Sequence, residues 1–199
     1  MTSTTRQEAL QLKVALRNIR PPVWRRLLVP ARLTLAQLHD AIQVAFGWGD
    51  CHLHLFLVHD EEYGPRDPDG AVEDVSSEEV SLAQLGLKPK ARIRYEYDFG
   101  DNWIHDITVE KALVPEDPTM APVCIGGKRA CPPEDCGGSG GYEDLVIALE
   151  DPAHPRHEEF CEWLDDAWDP EAFNLEEVNA RLMARCAPIQ TRTPTPRKP

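Results

Sequence analysis

Two runs in which apolar and polar side chains alternate flank a single turn, and they oblige this part of the chain to fold as an antiparallel β-hairpin. Arg92–Tyr97 sets Ile93, Tyr95 and Tyr97 against Arg92, Arg94 and Glu96, and Trp103–Glu110 places Trp103, His105, Ile107 and Val109 on one face. This is the period of half-buried strands. Between them, Phe99-Gly100-Asp101-Asn102 is turn chemistry, because Gly and Asn accept positive φ. The hairpin predicted over 91–110 carries Asp98 and Asp101 at its tip and His105 on its apolar side.

The same reading places the other elements. Leu10, Leu12, Val14 and Leu16 alternate with Gln11, Lys13, Ala15 and Arg17, a strand with one buried face. Pro21-Pro22 breaks it, and Val23–Val29 reads as its antiparallel partner, with Trp24 large enough to anchor a core. Thr34-Leu-Ala-Gln37 has the form of a capping box. Leu35, Leu38, Ile42, Ala45 and Phe46 follow at helical spacing, with Gly47 or Gly49 to end the helix. Leu53, Leu55 and Leu57 interleave with His52, His54 and Phe56, which predicts a third strand with two histidines on one face. The acidic, Gly- and Pro-containing stretch 60–79 reads as a mobile surface loop. Ser81–Gln84 repeats the capping-box pattern before Gly86. This β-β-α-β-(short helix)-β order resembles a β-grasp: an α+β fold in which a mixed sheet wraps one helix.

Beyond Lys111 the texture changes. Residues 112–141 are rich in Pro and Gly, hold Cys124, Cys131 and Cys136, and read as irregular. Helices are predicted at Tyr142–Glu150, at about 155–168 where Phe160, Trp163, Leu164 and Ala167 share a face, and after Asn174 with Leu175, Val178 and Leu182. The expected organisation is one domain over 9–186: a β-rich part 9–111, the irregular segment 112–141 and a helical part 142–186. The basic, Pro- and Thr-rich residues 187–199 are expected to be disordered.

Composition limits the function classes. With 199 residues, 42% of them hydrophobic, the chain can bury a proper core. No run approaches the roughly 18 apolar residues of a membrane span, and the polar start lacks a secretory signal. A cytoplasmic location follows, in which six cysteines are thiols or ligands rather than a disulfide framework. The net charge of −13 is unevenly spread: residues 1–39 hold seven Lys/Arg and one acid, whereas 40–180 hold nine basic and thirty-three acidic side chains. Acidic surface repels phosphate backbones, so broad nucleic-acid binding is disfavoured. Lys13, Arg17, Arg20, Arg25, Arg26 and Arg32 nevertheless form a candidate basic face, which either contacts nucleic acid or pairs with the chain's own carboxylates.

Three clusters are candidates for chemistry. His52 and His54, two apart on a strand, together with Asp98, Asp101 and His105, would suit Zn or another divalent transition metal and leave positions for an activated water. Trp48 and Trp103 would wall that pocket. The alternative is structural: the aspartates fix the turn and His105 packs in the strand. The second cluster is Cys124, Cys131 and Cys136, with His105, His154, His157 or Cys161 as a fourth ligand, a candidate structural metal clip set against ordinary buried thiols. The third, Glu134, Asp135 and the Gly137–Gly141 run, lacks the Lys-Ser/Thr of a phosphate loop and reads as turn and cap.

Several motifs in order carry a resemblance: Leu-Arg-Asn-Ile-Arg-Pro-Pro-Val-Trp-Arg-Arg (16–26), Thr-Leu-Ala-Gln-Leu-His-Asp (34–40), Phe-Gly-Trp (46–48), His-Leu-His (52–54), Tyr-Asp-Phe-Gly-Asp-Asn-Trp (97–103) and Arg-Ala-Cys-Pro-Pro-Glu-Asp-Cys-Gly-Gly (129–138). Over about 9–185 the chain resembles the plasmid pRiA4b ORF-3-like family, also called the insertion-sequence passenger TnpR family. The resemblance implies an α+β domain and an association with plasmids and mobile elements, without a reaction. The residues themselves supply no recombinase constellation: 17–32 contains no serine, and no tyrosine lies near the basic stretches. The expectation is an accessory protein acting as a binding module toward a protein partner. The alternatives are a metal-dependent hydrolase or nuclease at the His/Asp cluster, and a DNA-binding protein using the basic hairpin.

Overall fold

The structure, a computed structural model, describes residues 8–65, 75–117, 120–164 and 168–186. The tail 187–199 and the centre of the acidic stretch, 66–74, lie outside the described residues. The fold is α+β. Its elements are β1 (Ala9–Leu16), β2 (Trp24–Pro30), α1 (Leu35–Phe46), β3 (His54–Val58), β4 (Glu61–Gly64), β5 (Val75–Ser76), β6 (Arg92–Tyr97), β7 (Trp103–Leu113), β8 (Val123–Lys128), α2 (Gly138–Glu150), α3 (His157–Trp163) and α4 (Leu175–Arg185). The strands form one sheet in the order β5-β4-β3-β6-β7-β1-β2-β8. Every pairing is antiparallel except the short contact of β4 with β5, which alone makes the sheet mixed.

Alternation decides which side chains are covered. On the inner face Leu12, Val14, Leu27, Ile93, Tyr95, Ile107 and Val109 join Leu35, Leu38 and Ile42 of α1 in one buried cluster, each fully buried aliphatic side chain contributing about 1.5–3 kcal/mol. On the outer face Lys13, Trp24, Arg26, Arg92, Arg94 and Asp106 keep contact with solvent. Trp24 therefore does not anchor the core. It lies half-buried on the outer face beneath Lys13 and Arg26, whose cationic groups sit 5.5 and 5.1 Å from its ring.

Helix α1 begins where its capping residues predict. Thr34 Oγ1 accepts from the Gln37 amide and Gln37 Oε1 from the Thr34 amide, at 3.2 and 3.0 Å, and Gly47 ends the helix at φ 94°. Helix α4 packs on β8 and α1. Asn179 clamps β8 by bonding both the amide and the carbonyl of Cys124, at 2.8 and 2.9 Å.

Three segments depart from the sequence reading, one being the helix expected at about 155–168, which spans only His157–Trp163, with Ala167 outside the described residues. The stretch 60–79 is not loop throughout: His59 and Asp60, both at positive φ, make a two-residue turn that pairs Glu61–Tyr63 with Phe56–Val58. The segment 112–141 holds β8, and α2 starts at Gly138 rather than Tyr142. No helix of the described residues is long and apolar enough to cross a membrane.

Candidate metal centre

Three loops meet at one end of the sheet: the α1–β3 connection, the tip of the β6–β7 hairpin and the residues leading into α2. Polar contacts fix their positions. Trp48 Nε1 donates to Pro132 O at 3.0 Å, and the Gly49 amide donates to Glu134 Oε1 at 2.9 Å. The Tyr97 hydroxyl donates to the same Glu134 oxygen at 3.1 Å while accepting from the Cys51 amide at 3.0 Å. Burial holds this phenol well above its ordinary pKa, so it remains a donor. Across the hairpin tip, the Gly137 amide donates to Asp101 Oδ2 at 3.0 Å. Gly138, at φ 66°, approaches so closely that a Cβ would lie 2.4 Å from Asp101 O.

The tip turns through Asp98 and Asn102, both at φ 57°. Asp98 Oδ1 accepts from the amides of Gly100 and Asp101, at 2.9 and 3.3 Å, which leaves Oδ2 free to face the neighbouring loops. His52 Nε2 lies 3.3 Å from Asp135 Oδ1, 3.6 Å from Asp98 Oδ2 and 3.9 Å from Glu134 Oε2. Ligand atoms of His52, Asp98 and Asp135 all fall within 4.8 Å of one another. His52 Nε2 and Glu134 Oε2 are buried without a hydrogen-bond partner. A metal bonded at about 2.1 Å sets adjacent ligands roughly 3.0–3.4 Å apart, so these separations need little adjustment to close around a cation.

A second group, His39, Asp40 and Asp50, also brings its ligand atoms within 4.8 Å. Here the imidazole is already satisfied. Its Nε2 meets Asp50 Oδ1 at 2.8 Å and its Nδ1 meets the Tyr95 hydroxyl at 2.7 Å, with Gln43 Nε2 also donating to that hydroxyl at 3.0 Å. Both imidazole nitrogens are thus engaged, and His39 has no lone pair left for an ion. The sequence reading missed this group; the signal was the polar pair His39 and Gln43, four apart on the buried face of α1.

The five-residue set expected from the sequence is therefore divided. His52 and Asp98 meet, joined by Asp135 and Glu134. His54 does not join them: its ring stacks on His39 with centroids 3.6 Å apart, and burial followed by the charge of His39 lowers its pKa to about 3. His105 is sealed inside, Nδ1 donating to Trp103 O at 3.1 Å and the ring edge-on to Phe46 and Trp48. Burial lowers its pKa also to about 3. Asp101 is spent on the Gly137 amide. Trp48 and Trp103 are both core residues, their rings 6.0 Å apart.

Cys124, Cys131 and Cys136 form no group with ligand atoms in common range among the described residues. The physical reason is β8, which extends the chain for about 13 Å immediately after Cys124. Burial raises all three thiol pKa values, that of Cys136 to about 12, so each is a neutral thiol. The suggested fourth ligands are engaged elsewhere: His154 beside Asp144, and His157 between Ala148 O and Cys161 Sγ.

Two members of the basic face, Arg17 and Arg26, pair with the chain's own acids. Arg26 binds Glu110 through two contacts of 2.7 and 2.9 Å, Arg17 binds Asp106, and Arg32 donates to Met120 O at 2.8 Å. Arg20 is exposed. Arg25 does not belong to this face: neighbours in a strand point to opposite sides, and Arg25 is only 3% exposed on the inner one.

Comparison with known proteins agrees with this architecture. A crystal structure of a protein of unknown function, MM3350 from Methanosarcina mazei Go1, is similar with a TM-score of 0.78 and 35% identity, covering 87% of this chain and 98% of that one. The uncharacterized protein y4hQ of Sinorhizobium fredii (strain NBRC 101917 / NGR234) is 37% identical over 172 residues, 85% of this chain and 88% of its own length. The profile of the plasmid pRiA4b ORF-3-like proteins matches residues 8–177, and the chain belongs to that family.

Proposed function

We propose that this chain is an accessory protein that binds a divalent metal ion where its three loops meet, and that the loaded site is a docking point for a partner. His52, Asp98 and Asp135 supply the ligands, and Glu134 lies near enough to add a fourth. One imidazole among carboxylates suits Mn²⁺, Fe²⁺ or Zn²⁺ rather than a soft cation. The observation that carries the reading is that His52 Nε2 and Glu134 Oε2 are buried without a hydrogen-bond partner, although three carboxylates, Glu134 among them, crowd within 3.3 to 3.9 Å of that imidazole nitrogen. An orphaned pair of this kind costs free energy unless a third species satisfies it. A cation there would tie α1–β3, the hairpin tip and the α2 entry together. Its remaining positions would face solvent beside the exposed Asp135, open to an oxyanion of a protein or nucleic acid.

Titration calorimetry of chelator-stripped protein with MnCl₂ and ZnCl₂ tests this. One site per chain is expected, lost in His52→Gln and Asp98→Asn and retained in a Cys131→Ser, Cys136→Ser double variant. The Asn substitution keeps the turn-forming Oδ1 acceptor, so its loss of binding reports on ligation rather than folding. Unchanged affinity in both ligand variants would refute the assignment.

A further inference from the structure

A second opening lies between α4, the 168–174 segment and the end of the sheet, a cavity of about 620 Å³. At its base is Arg25. Three of the five guanidinium N–H groups are committed: Nε–H to Ala45 O at 2.9 Å, and the two Nη1 hydrogens to Trp24 O and Lys128 O at 2.9 and 3.1 Å. Both Nη2 hydrogens lack a protein acceptor among the described residues, and Nη2 is not among the polar atoms sealed from solvent. The guanidinium plane is held over the rings of Phe46 and Phe173, at 5.1 and 4.6 Å, so its free edge cannot swing away.

No carboxylate of the described residues lies within 4.0 Å of Arg25. Arg181, whose own ion pair with Glu177 is a loose 3.5 Å, brings a second positive charge to the same cavity, and that charge acts on Arg25 in the same direction as burial. An arginine stays protonated in a protein, and a buried charge without a counter-ion is strongly unfavourable. Glu134, Asp169 and Glu177 also line the cavity, but none of these acids closes on Arg25, so its guanidinium is held there without a counter-ion. Trp48 and Phe173 supply apolar wall beside it.

We infer that this cavity binds a small organic anion, its carboxylate or phosphate on Arg25 Nη2 and Arg181 and its apolar body against Trp48 and Phe173. Planar oxyanions suit the guanidinium edge, and a cavity of this size, with apolar wall beside polar groups that fix orientation, has the character of a small-molecule site.

Calorimetric titration of the full chain with benzoate, phenylphosphate and the neutral benzyl alcohol tests the inference. Saturable binding of at least one anion is expected, with benzyl alcohol weaker by about tenfold or more, which corresponds to about 1.4 kcal/mol. The preferred anion distinguishes a carboxylate from a phosphate ligand. Arg181→Gln, at a half-exposed position, should fold and weaken the anion several-fold. Arg25→Lys should weaken it further, because a lysine presents a point charge without the fork. His52→Gln should leave anion binding intact, which separates this cavity from the metal centre. Equal binding of benzyl alcohol, unchanged affinity in Arg181→Gln, or no saturation at millimolar anion would overturn it.

Discussion

His52 and His54 are two residues apart and end in different chemistry. Alternation placed both on one side of a strand, but β3 starts only at His54; His52 belongs to the loop before it and turns toward Asp98. Strand period is legible in sequence, whereas the residue at which a strand begins is set by what its neighbours pair with. His54 and His105 instead carry a pH signature. Each has a folded pKa of about 3 against 6.5 for the free group. Between these values the unfolded chain binds the proton and the folded one does not, so stability is full above pH 6.5 and falls as the pH drops toward 3. Each group contributes a slope of up to about 1.4 kcal/mol per pH unit. Urea unfolding from pH 7 to pH 4 should show the decline, and His105→Phe should make it shallower. An identical pH dependence in that variant would mean that His105 does not titrate on unfolding.

At the scale of elements, capping boxes and Gly stops announced α1 because their chemistry is local. Thr34→Ala should cost about 1 kcal/mol in denaturant unfolding, with no effect on the metal centre. β4 and β8 were harder to see. β4 is acidic, and its pairing comes from the His59-Asp60 turn; β8 contains Gly126 and Gly127 and is held by Asn179, a residue 55 positions from Cys124. Long-range contacts of this kind leave no periodic trace. The Gly137–Gly141 run reads from sequence as turn and cap, whereas α2 already begins at Gly138 without a side-chain cap, and its docking against the hairpin tip did not show. Gly138→Ala should expose that docking: a positive φ and a Cβ 2.4 Å from Asp101 O leave no room. The variant is expected to lose about 1–3 kcal/mol of stability and, with Asp135 displaced, most of its metal affinity. Wild-type calorimetry in a Gly138→Ala protein would contradict the proposed link between loop docking and the site.

For the molecule as a whole, the α+β class and the family were legible, because they rest on many motifs in a fixed order. The division of charge was legible too, and of its two readings pairing with the chain's own acids holds for Arg17 and Arg26, which meet Asp106 and Glu110; that Arg25 faces inward to a cavity was not legible. The proposed metal centre combines residues from three separate parts of the chain, 52, 98 and 134–135, so only half of the proposed ligand set was named before the fold brought them together. A cation that binds the folded state alone stabilises it by mass action, about 2.7 kcal/mol at one hundred times its Kd. Thermal unfolding should therefore rise with Mn²⁺ in the wild type and stay level in Asp98→Asn. Crystals grown with MnCl₂ and measured for anomalous scattering at the manganese edge give the most direct test. The prediction is a single strong peak about 2.0–2.2 Å from His52 Nε2, Asp98 Oδ2 and an Asp135 oxygen. A map with no peak there, or with its peak at the Cys131 and Cys136 sulfurs, would contradict it.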